Sequence, residues 1–375
     1  MAPVMSSTAE KRVGVSKIKI LSNKNWDSIG SCMSFAIMAR YERFCPSLLC
    51  AGFAAALLAV LGQGAYGSPI TLDVSGMVTS STVSGAQVGA GTYSIQQLMS
   101  AGAAVGSETS GGETGISLWS LLGGNSSGAS DVVTSTPSGD NGKNAILRSY
   151  VLATSATGAQ SIISLGEIGP FFGGTGVGPF VAYSGTDGNP ALIFPGVGAS
   201  GRDVTDLASL QILSAPALVT GSGGVSTSLT LSGSVANPGN YNLAALQGLP
   251  TSSVNIGGDI YTGVSVWSLL SPTVSNVLTG YVITSGTDGY EVLFSLAELD
   301  PNLGAPLDVV PYADTQGAFP SDGFARIVIP GDNHQGRYVS NLDAIEVDAV
   351  PEPGMFAPIA ALFAVVFLRS RLSRR

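Results

Sequence analysis

Charge is scarce in this sequence: only 11% of its 375 residues are Asp, Glu, Lys or Arg. Between Ser68 and Val350 there are five basic residues (Lys143, Arg148, Arg202, Arg326 and Arg337) against 21 acidic ones, a net charge of −16. A surface so short of positive charge repels phosphate backbones and argues against nucleic acid as a partner. Cysteine is confined to Cys32, Cys45 and Cys50. From Ser68 onward there is none, which excludes disulfides and thiolate metal sites from that part of the chain. Histidine occurs once, as His334 in the polar run Asp332-Asn333-His334-Gln335, where solvent exposure is expected. A His-pair metal site is therefore impossible. The Gly-rich stretches Gly173–Gly178 and Gly221–Gly224 lack a following Lys-Ser/Thr, so they are not phosphate loops. Asp300–Asn302 and Asp332–Asn333 offer oxygen ligands of the kind calcium prefers, but without EF-hand spacing. What the chain does have is 50 glycines and many Ser and Thr. Low charge without low hydrophobicity points to a folded, strand-rich chain with tight turns rather than to disorder.

Both ends read as addresses. Residues 1–67 form a leader in which Arg40 and Arg43 precede an apolar core at 48–61, followed by Ala65-Tyr66-Gly67-Ser68. A basic n-region, an apolar core of this length and small residues at Ala65 and Gly67 make a secretory signal peptide, with cleavage expected before Ser68. Met33 or Met38 would each give a leader of more ordinary length. At the other end, 350–375, Val350-Pro351-Glu352-Pro353-Gly354 is followed by the apolar run 355–368 and an Arg-rich terminus. Fourteen residues at about 1.5 Å each span about 21 Å, a short membrane helix. The trailing Arg residues would stay cytoplasmic, leaving the preceding chain outside. This order of elements resembles the PEP-CTERM sorting signal of Gram-negative bacteria. The resemblance implies recognition at Val350, Pro351, Glu352 and Pro353 by an exosortase-type membrane enzyme, then delivery to the cell surface or extracellular matrix.

Self-comparison divides the middle of the chain into two related units. Tyr93-Ser-Ile-Gln-Gln-Leu98 returns as Tyr241-Asn-Leu-Ala-Ala-Leu246, and Thr114-Gly-Ile-Ser-Leu-Trp-Ser-Leu-Leu122 as Thr262-Gly-Val-Ser-Val-Trp-Ser-Leu-Leu270. Ser164-Leu165, Glu167 and Pro170 return as Ser295-Leu296, Glu298 and Pro301; Gly201-Arg202 returns as Gly336-Arg337. The units are read as 68–215 and 229–349, joined by a Gly/Ser-rich linker at 216–228 that has the composition of a flexible segment. In the second unit, Leu229–Val235 and Ser253–Ile256 read as strands and Leu243–Leu249 as a short helix. Gly263 reads as a turn before a helix at Trp267–Leu270. Tyr281–Ser285 and Glu291–Ser295 flank an Asp288-Gly289 hairpin turn. Ala325–Ile329 and Ala344–Val347 read as closing strands. Trp119 and Trp267 are expected to anchor the core, and Asp203 and Asp206 to be solvated. A unit this long can bury its own core, so Ser226–Val350 is expected to fold alone.

The motifs of the second unit, from Tyr241-Asn-Leu-Ala-Ala-Leu246 through Arg326-Ile-Val-Ile-Pro-Gly-Asp332 to Gly336-Arg-Tyr-Val-Ser-Asn-Leu342, resemble the molybdopterin-binding domain of the sulfite-oxidase type. The first unit is a weaker copy. The fold this implies is α+β and strand-rich: two tandem molybdopterin-type units flanked by a signal helix and a C-terminal membrane helix. In that family a Cys thiolate holds the molybdenum after the first helix. Here the neighbourhood reads Val254-Asn-Ile-Gly-Gly258 in one unit and Ala104-Val-Gly-Ser107 in the other. Neither Gly nor Ser replaces a thiolate at that metal. Arg326 and Arg337 fall on family motifs and are the candidate cofactor-binding residues, with an ion pair to a nearby Asp as the alternative role for each. No cofactor, metal or catalytic residue is expected. The expected role is non-catalytic binding, to extracellular polysaccharide or another envelope component, or a structural one; the alternative is an exported molybdopterin-dependent oxidoreductase.

Overall fold

Short runs of alternating and continuous apolar residues, punctuated by glycine, give a strand-rich α+β architecture. The computed structural model describes residues 70–350 except 125–131, 134–142, 171, 173–177, 186–187, 197–198, 217–222, 320–322 and 333. The leader core 48–61, the cleavage region Ala65–Ser68 and the tail beyond Val350 lie outside these residues. Among the described residues no helix is long and apolar enough to cross a membrane.

The first half of the chain contributes β1 (Leu72–Gly76), β2 (Gly91–Tyr93), β3 (Ser149–Ser155), β4 (Gln160–Ser164) and β5 (Leu207–Ser214) to one five-stranded sheet of order β2-β1-β5-β3-β4. The second half contributes β6 (Leu229–Gly233), β7 (Gly239–Tyr241), β8 (Gly280–Gly286), β9 (Glu291–Ser295) and β10 (Leu342–Ala349) in the order β7-β6-β10-β8-β9. Position by position, the two orders are the same. In each sheet the first and last strands pair parallel, Val74 opposite Leu210 and Leu231 opposite Ile345, and the remaining pairs are antiparallel. Each half also has a four-stranded sheet, built from Ser107–Ser110, Glu113–Ser117, Phe180–Ala182 and Ala191–Ile193 in one, and from Thr251–Ile256, Asp259–Ser265, Val309–Asp314 and Gly317–Ala318 in the other.

The strands nearest the middle of the molecule are buried on both faces. Along β3 and β4, Val151, Ala153 and Ile163 point into the main core, while Tyr150, Leu152 and Ile162 point the other way. Their counterparts Tyr281, Ile283 and Leu293 on β8 and β9 meet them there, and the rings of Tyr150 and Tyr281 stack with centroids 5.5 Å apart. Alternation along a strand sends successive side chains to opposite faces, so apolar residues at every position mean that both faces are covered. One half covers the other. Within the joint, Gly223 donates its N–H to the Thr287 carbonyl and Ser226 donates its N–H to Asn341 Oδ1, tying this stretch to the second half. The seam changes the expectation for the second half on its own. Residues 226–350 expressed alone would expose Tyr281, Ile283 and Leu293. In analytical ultracentrifugation they are expected to self-associate, whereas the full chain should not use this face; a stable monomeric half would show the seam to be dispensable.

Three local expectations are corrected. Gly263 is not a turn but lies within the strand Asp259–Ser265, where a Cβ would sit 2.1 Å from the Val310 carbonyl oxygen. Its counterpart Gly115 meets the Val181 carbonyl in the same way, at 2.2 Å. Glycine is needed there for close strand approach. Ala325–Ile329 is buried but forms no strand of its own; only isolated bridges join Val328 to Val309 and Ile327 to Val339. Asp203 and Asp206 are half-buried rather than solvated: Asp203 Oδ1 accepts the Phe194 N–H and Asp206 Oδ1 accepts from Asn189 Nδ2. Trp119 is buried in the core and Trp267 packs half-buried against it.

Candidate functional site

Two one-turn helices begin at the seam, α1 (Leu165–Ile168) directly after β4 and α2 (Leu296–Leu299) directly after β9. Each follows a Ser-x-x-Glu sequence. The hydroxyl of Ser164 accepts the Glu167 N–H at 3.1 Å, and that of Ser295 accepts the Glu298 N–H at 3.1 Å. In α2 the Glu298 carboxylate also returns to the Ser295 N–H at 2.8 Å, completing a capping box. The capping serines also cross the seam. Ser164 Oγ donates to Glu298 Oε1 at 2.7 Å and Ser295 Oγ donates to Glu167 Oε2 at 3.4 Å.

Each glutamate holds a buried arginine of its own half. Arg202 donates to both Glu167 oxygens, at 2.5 and 2.9 Å, with its guanidinium 4.1 Å above the Phe194 ring. Arg337 donates from Nη1 to Glu298 at 2.7 Å and grips Asp332 with Nε and Nη2 at 2.9 and 2.6 Å, beside the Phe294 ring. The two arginines are 5% and 4% exposed, which no unpaired guanidinium tolerates. Burial alone would weaken the protonated forms, but the Glu167 carboxylate beside Arg202 and the Glu298 and Asp332 carboxylates beside Arg337 outweigh it and hold both charged.

The halves are not equivalent in charge. Where Asp332 follows Pro330-Gly331, the first half has Val197 after Pro195-Gly196. Arg202 therefore has one carboxylate where Arg337 has two, and Arg202 Nε is buried without a hydrogen-bond partner. A second difference lies at matching backbone positions. The Pro179 carbonyl accepts the Leu118 N–H in the first half, and the Asp308 carbonyl accepts the Val266 N–H in the second. Asp308 thus replaces a proline, and its buried Oδ1 also has no partner. Burial raises its carboxyl well above the usual range, reinforced by Glu298 and Asp332 and opposed by Arg337. Burial likewise pushes Glu298 up to about 7, against the attraction of Arg337. A cavity of about 280 Å³ opens between the halves, lined by all six charged groups, Glu167, Arg202, Glu298, Asp308, Asp332 and Arg337.

The structure separates the sequence candidates. Arg337 lies in this layer, paired to Asp332 as its alternative role required, but also to Glu298. Arg326 lies elsewhere, donating to Ser340 with its guanidinium 4.9 Å from the Phe319 ring. Val254–Gly258, where the resemblance would put a thiolate, forms an exposed to half-exposed hairpin and does not line the cavity. His334 is exposed, and Asp300 caps the turn at Pro301–Leu303 through the Asn302 N–H. Among the described residues no group of three His, Cys, Asp or Glu is placed to hold a metal ion. Arg202, which the repeat sets opposite Arg337, lies in this layer too; Glu167, Glu298 and Asp308 were not among the sequence candidates. The Ser-x-x-Glu motif, present in both units just after an apolar run, was the available signal for the two glutamates. Nothing local marks Asp308.

No family model matches the chain. No curated protein matches it either. Among solved structures it is similar to the sulfane dehydrogenase SoxCD from Paracoccus pantotrophus, at 15% identity and a TM-score of 0.28, over 42% of this chain and 44% of that one. The chain thus spans less than half the length of that neighbour, and a likeness this distant carries no argument about activity.

Proposed function

We propose that this is an exported, non-catalytic protein, sorted to the cell surface or matrix by its C-terminal signal, that works by binding extracellular polysaccharide or another envelope component. Two units of molybdopterin-type descent, their redox site lost, would supply the scaffold. The observation that carries this reading is the state of Arg337. A pterin phosphate needs free positive donors, and this guanidinium is closed on both sides by Glu298 and Asp332. The donor set does not fit the cofactor in other respects: residues 68–350 contain no thiolate, and both cavity guanidiniums are already engaged by carboxylates of the chain. Fold can outlast a site, so activity does not follow from descent.

The test is elemental analysis of the native protein from a host that makes molybdopterin, together with cosedimentation against the polysaccharide of the producing cell. Molybdenum and tungsten at background, with polysaccharide in the pellet fraction, is the expected result. Stoichiometric metal would overturn the reading in favour of an exported molybdopterin-dependent oxidoreductase.

A further inference from the structure

The contacts across the seam come in repeat-related pairs. Ser164 meets Glu298, and their counterparts Ser295 and Glu167 meet each other. Tyr150 stacks on Tyr281, which is its own counterpart in the repeat. The apolar cluster around these rings holds matched residues, Leu152 with Ile283 and Ile162 with Leu293. The helix Lys143–Leu147 packs on β9, and the corresponding turn Val277–Thr279 packs on β4. Contacts that repeat in this reciprocal way define an isologous, two-fold interface. Such a surface is complementary to itself. The seam is therefore built like the interface of a symmetric dimer, with the two subunits joined in one chain.

One charged contact breaks the symmetry. Arg148 Nε lies 2.8 Å from Glu291 Oε2 across the seam, and the two side chains are 13% and 3% exposed. These atoms lack the alignment of a hydrogen bond, so they interact as charges. The strand boundaries fix the counterparts. Ser149 opens β3 as Gly280 opens β8, so Arg148 corresponds to Thr279. Gln160 opens β4 as Glu291 opens β9. The backbone agrees: the Arg148 carbonyl accepts the Ala215 N–H, and the Thr279 carbonyl accepts the Val350 N–H. On the two-fold-related side, a threonine and a glutamine thus stand in place of the two charges. This difference selects between partners. Two first halves paired through this surface would set each Arg148 against a Gln160. Two second halves would set each Glu291 against a Thr279. Either pairing buries charges without a counter-ion, which is strongly destabilising. Only unlike halves satisfy both.

We propose that the seam is a self-complementary interface that the opposite half of a second copy of this chain can close, and that Arg148–Glu291 is the contact restricting it to unlike halves. Exchange of equivalent elements between copies is a low-cost route to a dimer, because no new surface has to be made. Within one molecule the short joint at 216–228 favours closure of the chain on itself, at an effective concentration on the order of 1 mM. Exchange competes with that closure, and the strength of the charged contact decides the balance. The proposal does not rest on the polysaccharide reading, because neither metal content nor cosedimentation reports on the seam.

The test uses two full-length variants, Glu291→Arg and Arg148→Glu. Each alone sets like charges against each other at the seam, and its folding equilibrium constant in urea should fall about tenfold or more. Unfolded together and refolded as an equal mixture, the two chains can exchange halves. The substituted half of one then faces the substituted half of the other, and the two unaltered halves restore the native pair. Light scattering should show a one-to-one dimer with a Kd of about 10 μM or tighter, since relieving two clashes gains about a hundredfold against the 1 mM scale. A single chain carrying both Arg148→Glu and Glu291→Arg reverses the pair and should return to a monomer of nearly the unaltered stability. Variants as stable as the unaltered protein, a mixture without dimer, or dimers formed as readily by either variant alone would each overturn the proposal. So would a reversed pair that fails to restore the single chain, because the contact would then not act through its charges.

Discussion

Arg337→Met is expected to lower the free energy of unfolding by about 3–5 kcal/mol, because removing one partner of a buried ion pair leaves the other uncompensated. Here two partners would be stranded. Asp332 and Glu298 have side chains only 2% and 7% exposed, and together they accept three hydrogen bonds from this guanidinium. Arg202→Met supplies the scale. It strands only Glu167, whose side chain is 16% exposed and still accepts from Ser295, so the loss should be distinctly smaller. Adding Asp332→Asn and Glu298→Gln to Arg337→Met removes the stranded charges and should recover much of the stability. Urea denaturation of the four proteins reads all of this directly. A loss below about 1 kcal/mol for Arg337→Met, the range of exposed pairs, would mean that water reaches the layer.

Stability is expected to fall as pH rises from about 5 to about 8, a window set by the ordinary carboxyl pKa of 4.5 and the folded value of about 7 at Glu298. Burial is the main cause, with the Glu167 charge adding to it and Arg337 opposing it. The sign follows from proton counting. Between those two values the folded chain holds a proton that the unfolded chain has lost, so the contribution is fully present below about 4.5 and disappears as pH passes through about 7. Asp308, raised for the same main reason, acts in the same direction. Thermal unfolding followed across this window should show the decline, and Glu298→Gln should flatten much of it whatever that variant does to absolute stability. A rise in stability over the same window would show that Glu298 is already ionised in the fold at acid pH.

The periodic parts of the fold were legible in the sequence because their causes are local. Leu229–Gly233 alternates and is a strand; Asp288-Gly289 turns a hairpin between β8 and β9; Leu243–Gln247 is a helix capped by Asn242. The order of the repeated motifs was legible too, since Tyr93 and Tyr241 end like strands and Arg202 and Arg337 enter like positions. Gly263 was misread because glycine marks both turns and close strand contacts, and only the neighbouring strand, with the Val310 carbonyl 2.1 Å from a built Cβ, distinguishes them. The doubly buried strands β3 and β8 were read as strands but not as a seam, because a sequence shows that a residue is apolar without showing what will cover it.

The sequence by itself determined the chemistry that is absent: no thiolate and one histidine after Ser68, and few basic residues in a strongly acidic middle. Those conclusions need only an inventory of side chains. The tertiary structure alone decided that Glu167, Arg202, Glu298, Asp332 and Arg337 form one buried layer and that Asp308 lines its cavity with one oxygen unpartnered. Ser164 and Glu298 are separated by 134 positions and meet at 2.7 Å. Burial, which sets the strength of every charge in that layer, comes from the packing of one half against the other, and no local pattern of residues encodes it.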